Sequence, residues 1–199
     1  VGRWSMILGA RNRMPFCMQP IVLGCLGLLL MVLPPLLYAA PPNSEQKLKV
    51  ALIYKISKFV EWPNVAVVGK QLSFGVCLLG EDNFGSALDA LEEKKIHGLP
   101  IKLYRFSQSE SVTSDCQVLF ISESKQAFLQ PIVEKLKRQP ILTLGDTSKF
   151  AQQGGMIQFT YGAQRIGFNV NLGRTKEAGL KIAAPLLALA TIVELRQAQ

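Results

Sequence analysis

The chain has 199 residues, 49% of them hydrophobic and 18% charged, with a formal net charge of +8. That length suits one ordinary domain with a single core once any leader is removed. The basic residues stand singly or in pairs, as at Lys94–Lys95 and Lys137–Arg138, with acids between them. This reads as a solvated surface and excludes a nucleic-acid binder, which shows a concentrated basic stripe.

Residues 1–40 hold Arg3, Arg11 and Arg13, no acid, and an apolar run from Ile21 to Leu37. A basic lead, an apolar centre and small residues at Ala39 and Ala40 read as a secretory signal peptide, starting at Val1, Met6 or Met14. An uncleaved membrane anchor needs roughly 20 apolar residues, and this run is shorter and broken by Pro34 and Pro35. A lipoprotein-type site at "VLGC", Val22–Cys25, leaves the apolar residues beyond Cys25 unexplained. The expectation is a signal peptide over 1–40 and one exported domain over 41–199. Loss of the three arginines takes the net charge from +8 to +5.

Cys17 and Cys25 fall in the leader, which leaves Cys77 and Cys116. An even pair in an oxidising compartment suggests one disulfide; two buried thiols on neighbouring strands are the alternative. There is no C-x-x-C, so thioredoxin-type redox chemistry has no support.

In "SEQKLKVALIYKISKFVEW", Ser44–Trp62, Leu48, Ala51, Leu52, Ile56, Phe59 and Val60 recur at three- and four-residue steps. This is the stripe of an amphipathic helix, with Ser44 as its cap and Pro63 as its stop. The closing "KFVEWP" admits two readings. Either Phe59, Val60 and Trp62 pack beneath the helix end, or Phe59, Glu61 and Trp62 meet a partner, where tryptophan is a common hot spot. Packing is the preferred one.

Downstream, "LSFGVCLLG" (Leu72–Gly80) is an apolar strand, and "NFGSALDALEEKK" a helix capped by Asn83 with Phe84, Leu88 and Leu91 on one face. "LPIKLYRF" alternates as a strand. "CQVLFIS" is an apolar strand, followed by a helix over Glu123–Lys137 and a third strand, "PILTLGD". A short helix around Ser148–Gln153 leads to strands Met156–Tyr161 and Arg165–Leu172, joined by a turn at Gly162. Thr175–Leu195 reads as a long helix, apolar on more than one side and kinked at Pro185, which points to a dimer contact. The expected fold is an α/β three-layer sandwich with a largely parallel central sheet and an antiparallel C-terminal hairpin at one edge.

Open parallel sheets bind ligands beyond their carboxyl ends, so Gly80, Phe84 and Asp146 mark a candidate ligand pocket. "GEDNFG", Gly80–Gly85, has the spacing of a phosphate loop, but Ser86 and Ala87 replace its lysine and hydroxyl, and Glu81 and Asp82 repel phosphate. Asp146 reads as a helix cap rather than a phosphoacceptor. His97 stands in a turn with no ligand or acid at useful spacing, so metal binding and general-base work lack partners. "GGM", Gly154–Met156, lacks a third glycine and a following helix, and no G-x-S-x-G occurs. No catalytic constellation, metal site or cofactor motif is present in the sequence.

Together, "ALIYKISKFVEWP", "FGVCLLGEDNFGSALDAL", "CQVLFIS", "PILTLGD", "FAQQGGMIQF", "RIGFNVNL" and "AGLKIAAPLLALA" stand in the order found in the YfiR family, which the chain resembles over about residues 46–192. The resemblance implies a periplasmic, often dimeric α/β domain that is not an enzyme. It also implies a role: repressing a membrane-bound diguanylate cyclase by binding its periplasmic sensor region, which lowers cyclic-di-GMP signalling and biofilm formation. An outer-membrane-linked lipoprotein is implied as a further partner. Cys77 and Cys116 match the positions of a disulfide in that family. A second cysteine pair present in some members has no counterpart near "TLGDTSKFAQQGGM", so the bridge reads as a structural brace. A periplasmic small-ligand module, or a regulator of a membrane histidine kinase, is the alternative function.

Overall fold

The first helix, α1 (Ser44–Lys58), turns Val50, Ile53 and Ile56 into the core and leaves Leu48 and Phe59 exposed. The structure, a computed structural model, describes residues 44–63, 72–162 and 166–193, all within Pro41–Gln199. The expected signal peptide lies outside the described residues. The stripe expected from the sequence is half buried: Ile56 and Val60 lie in the core and Leu52 packs against it, while Leu48, Ala51 and Phe59 are exposed. This helix has two overlapping apolar series, and the β-branched one, continued by Val60, faces the sheet.

Strand β1 (Val60–Glu61) follows at once, then β2 (Phe74–Leu79), the single turn α2 (Ser86–Asp89), β3 (Lys95–Ile96) and β4 (Leu99–Phe106). After these come β5 (Cys116–Ile121), a 3-10 stretch Glu123–Phe128, α3 (Leu129–Lys135), β6 (Leu142–Gly145), β7 (Ile157–Tyr161) and β8 (Ile166–Asn171). The chain closes with α4 (Leu172–Glu177), β9 (Lys181–Ile182), α5 (Ala184–Leu187) and β10 (Thr191–Val193). Eight strands form one sheet in the order β10-β8-β7-β6-β5-β2-β4-β3, and β1 and β9 pair separately. The inner strands β4, β2, β5, β6 and β7 are parallel. The antiparallel β7–β8 hairpin is present, with β10 added outside it, parallel to β8.

The sheet carries helices on both faces. Val76 and Leu78 of β2, and Val118 and Phe120 of β5, pack with α1, α2 and α5. Cys77, Leu79, Cys116, Leu119 and Ile121 face α3 with Phe150. These are the three layers expected. Cys116 belongs to the second set only because β5 carries a bulge. Gly75 pairs with Cys116 but Val76 pairs with Val118, so Gln117 is the extra residue. A one-residue slip reverses which face a side chain takes. Without it Cys116 would share the α1 face with Val118. With it, Cys116 meets Cys77, and the two form a buried disulfide.

The bulge leaves Gln117 polar groups inside the protein. Its side-chain oxygen accepts from Gly75 N–H at 2.6 Å, and its carbonyl accepts from Trp62 Nε1–H at 3.2 Å. Gly75 is required here because an added Cβ would lie 1.8 Å from the Asp115 carbonyl oxygen.

Several helices are shorter than their sequence patterns suggest. Asp82, not Asn83, takes the amides before α2: its Oδ1 accepts from Phe84 and Gly85 N–H at 2.8 and 3.0 Å. The stretch 123–137 is part 3-10 and part α, and 148–153 is a set of turns around Lys149 at φ 63. The long C-terminal helix is replaced by α4, β9, α5 and β10. Gly179, at φ 73, ends α4 in the left-handed conformation. Pro185 then starts α5 instead of kinking a longer helix, since the first turn tolerates its missing N–H. Thr191, Ile192 and Val193 are β-branched and add an edge strand. The helical face assigned to a dimer contact is thus absent.

Two expectations follow for stability. The bridge closes a loop with a sequence separation of 39, so Cys77→Ser should lower unfolding free energy by about 4 kcal/mol in denaturant titration. Trp62→Phe keeps an aromatic ring but removes the indole N–H bond to the Gln117 carbonyl, and should cost about 1 kcal/mol in the same assay.

Candidate functional site

The strand order reverses at β2, which has β4 on one side and β5 on the other. Beyond the carboxyl ends of such neighbours an open sheet takes ligands. Gly80 follows β2, Ser122 follows β5 and Asp146 follows β6, so the topology brings Gly80 and Asp146 to one edge of the sheet. Gly80 N–H donates to the Phe106 carbonyl and Ser122 N–H to that of Leu79, each at 2.9 Å, which laces β4, β2 and β5 together.

The groups there are turned inward. Glu81 N–H donates to Ser124 Oγ at 2.9 Å, and Asp82 takes the amides of Phe84 and Gly85. The amides that would cradle a phosphate thus serve the protein's own side chains. Burial would raise the Asp82 carboxyl, but Arg105, 2.8 Å away, and the two backbone donors hold it below its usual range. Phe84 is buried and packs edge-on against Phe120, centroids 4.8 Å apart, so it lines no open cleft. A Cβ on Gly80 would meet Ser124 Oγ at 2.5 Å.

Asp146 is engaged too. Its Oδ2 lies 2.7 Å from Lys49 Nζ and accepts from the Tyr161 hydroxyl at 3.2 Å, while Glu45 Oε1 is 3.0 Å from the same ammonium. Lys49 Nζ also sits 5.0 Å from the centre of the Tyr161 ring. Burial alone would lower the Lys49 ammonium; its bonds to Asp146, Tyr161 and Glu45 hold it above its ordinary value. Burial pushes the Tyr161 phenol up to about 12, with the Asp146 charge adding and Lys49 opposing. This cluster ties α1 to the ends of β6 and β7. Neither Lys49 nor Tyr161 stood out in the sequence. The Glu45–Lys49 spacing of four was the one visible signal, and Tyr161 meets Asp146 only through strand order.

At the end of α1, the three residues proposed for a partner separate. Trp62 is 7% exposed and edge-on to Phe74 at 5.1 Å, so it is a core residue held by the bulge. Phe59 is 43% exposed and Glu61 is exposed. His97 Nε2 lies 3.1 Å from the Val60 carbonyl, which can only accept, so that nitrogen carries the proton. Among the described residues, no three His, Cys, Asp or Glu gather to hold a metal ion, and no helix is long and apolar enough to cross a membrane.

The C-terminal motifs have structural roles. Phe150 lies between Gly145 and Gly155, where added Cβ atoms would come within 2.5 and 2.1 Å of its ring. Asn171 caps α4 through Arg174 N–H at 3.0 Å and donates to the Ala151 carbonyl at 2.8 Å. Arg174, buried, joins Glu134 and Glu177 and so links α3 to α4.

The raised Tyr161 pKa stabilises the fold below pH about 10, the free phenol value, and that contribution is lost as pH rises through about 12. The tyrosinate absorbance change near pH 12 should be smaller in Tyr161→Phe than in the wild type.

A family model described as YfiR/HmsC-like matches residues 46–191. No curated protein matches the chain. Among solved structures, a conserved domain protein from Vibrio cholerae O1 biovar El Tor aligns with TM-score 0.50 and 13% identity, covering 76% of this chain and 60% of that one. The chain thus spans 60% of that protein's length, and the likeness is one of fold. The ABC domain from Streptococcus pneumonia, in complex with L-Trp, aligns with TM-score 0.47 and 10% identity over 74% of this chain and 62% of that one. The family match runs from the first turns of α1 to the start of β10, over the bulge, the bridged cysteines and the glycines around Phe150. The chain belongs to the YfiR/HmsC-like family.

Proposed function

We propose that the protein is a periplasmic regulator that acts by protein contact, repressing a membrane-bound diguanylate cyclase through the cyclase's periplasmic sensor region. Membership of the YfiR/HmsC-like family over residues 46–191 carries this reading. Two features support it. The Cys77–Cys116 disulfide suits an exported protein, because oxidising compartments preserve such bonds. The groups at the strand ends, including Phe84 and Asp146, are bonded or packed within the protein, which favours contact over the rival reading of a small-ligand module. Sequestration by an outer-membrane lipoprotein and self-association belong to the same proposal.

Deletion of the gene should raise cellular cyclic-di-GMP above wild type, and the Cys77→Ser strain should show a partial rise in proportion to its loss of folded protein. An unchanged level in the deletion strain, with the protein shown to be expressed in wild type, would remove the cyclase from the account.

A further inference from the structure

Helix α1 is apolar on two faces, and only one of them is covered. Val50, Ile53 and Ile56 are buried against the sheet. Leu48, Ala51, Lys55 and Phe59 lie on the outer side at steps of three and four residues, with Leu48 46% and Phe59 43% exposed. These four positions form a seam about three helical turns long, with small Ala51 between the larger residues and one cation in the middle.

The seam is rimmed by positive charge. Lys47 and Lys58 are exposed on the same helix. Lys58 Nζ and Lys94 Nζ lie 5.5 and 5.6 Å from the centre of the Tyr54 ring, which draws two lysines distant in sequence to one spot. The Tyr54 hydroxyl donates to the Lys95 carbonyl at 3.3 Å and steadies that ring. The acid within α1, Glu45, is already paired with Lys49. Folding therefore gathers a basic patch that is scattered in the sequence.

We infer that this outer face of α1 is the docking surface for an acidic amphipathic helix of the partner. The inference rests on the contact reading above and names the surface that reading requires. Helical spacing favours a helix, because a partner strand would not follow steps of three and four. A lysine in the middle of an apolar seam calls for a facing carboxylate, as single polar seam residues do in paired helices. An anionic membrane surface fits less well. There the charges belong on the polar face, whereas Lys55 would sit at the deepest line of contact between only two large apolar side chains.

The test compares cyclic-di-GMP in strains carrying wild type, a gene deletion, Lys55→Glu, Phe59→Asp and the control Phe128→Asp, an exposed side chain beside α3 on the opposite face of the sheet. Lys55→Glu and Phe59→Asp should bring the level up to that of the deletion while the purified proteins keep the wild-type melting temperature. Phe128→Asp should repress normally. Second-site suppressors of Lys55→Glu should replace an acid with lysine or arginine on a helical segment in the exported part of a membrane protein. If deletion raises cyclic-di-GMP but both α1 variants repress like wild type, the surface is wrong and the regulatory reading survives. If deletion changes nothing, the regulatory reading fails and takes this inference with it. Flotation of the wild-type protein, but not Lys55→Glu, with phosphatidylglycerol–phosphatidylethanolamine vesicles would overturn the helix in favour of lipid. A dimer that Phe59→Asp converts to monomer would overturn it in favour of a second copy.

Discussion

The bulge at Gln117 decides how the centre of this protein is built. It reverses the facing of Cys116 relative to the rest of β5, which brings that thiol to the side where Cys77 points. It also creates a buried carbonyl and a buried amide group that need partners, and Trp62 and Gly75 supply them. A buried polar group without a partner would cost more than a typical hydrogen bond contributes. The bulge, the tryptophan, the glycine and the disulfide are therefore one arrangement, and each is conditional on the others. Trp62 stands just after β1 with a proline behind it, and its indole reaches back to the sheet.

From that junction the remaining architecture follows. β2 is buried along its whole length and pairs with β4 and β5, so the strand order reverses there. In many open sheets such a reversal leaves a crevice for a ligand. Here Ser124, Asp82, Phe84 and the Lys49–Asp146–Tyr161 cluster engage the loop amides and charges from within. The same cluster fastens α1 by its inner side. A helix held so firmly along one face can present the other as a rigid surface, and pre-organisation of this kind lowers the entropy lost on binding.

Much of this was legible in the chain. Apolar strands alternating with helical segments gave the three-layer sheet, and the lone cysteine pair beyond residue 40 gave the bridge. What escaped had physical causes. Only Leu52, Ile56 and Val60 of the α1 stripe were placed rightly, because that helix has two apolar series and periodicity cannot say which one meets the sheet. The C-terminal helix was misjudged because Pro185 was weighed as a kink and Gly179 was passed over, when together they end one helix and begin another. The bulge has no sequence mark, since Gln117 in "CQVLFIS" reads as any polar residue in a strand. Asp146 was visible, but its partners Lys49 and Tyr161 are distant in sequence and joined only by topology. Lys94 and Lys58 looked scattered for the same reason.

The central claim is that this protein works by presenting the outer face of α1 to a partner while its strand ends stay internal. Lysine acylation footprinting, comparing the protein in intact cells with the purified protein, tests it most directly. The account predicts that Lys47, Lys55, Lys58 and Lys94 lose reactivity in cells while Lys125 and Lys149 keep theirs. Protection of Lys125, beside Gly80 at the strand ends, with the α1 lysines as reactive in cells as in the purified protein, would contradict it.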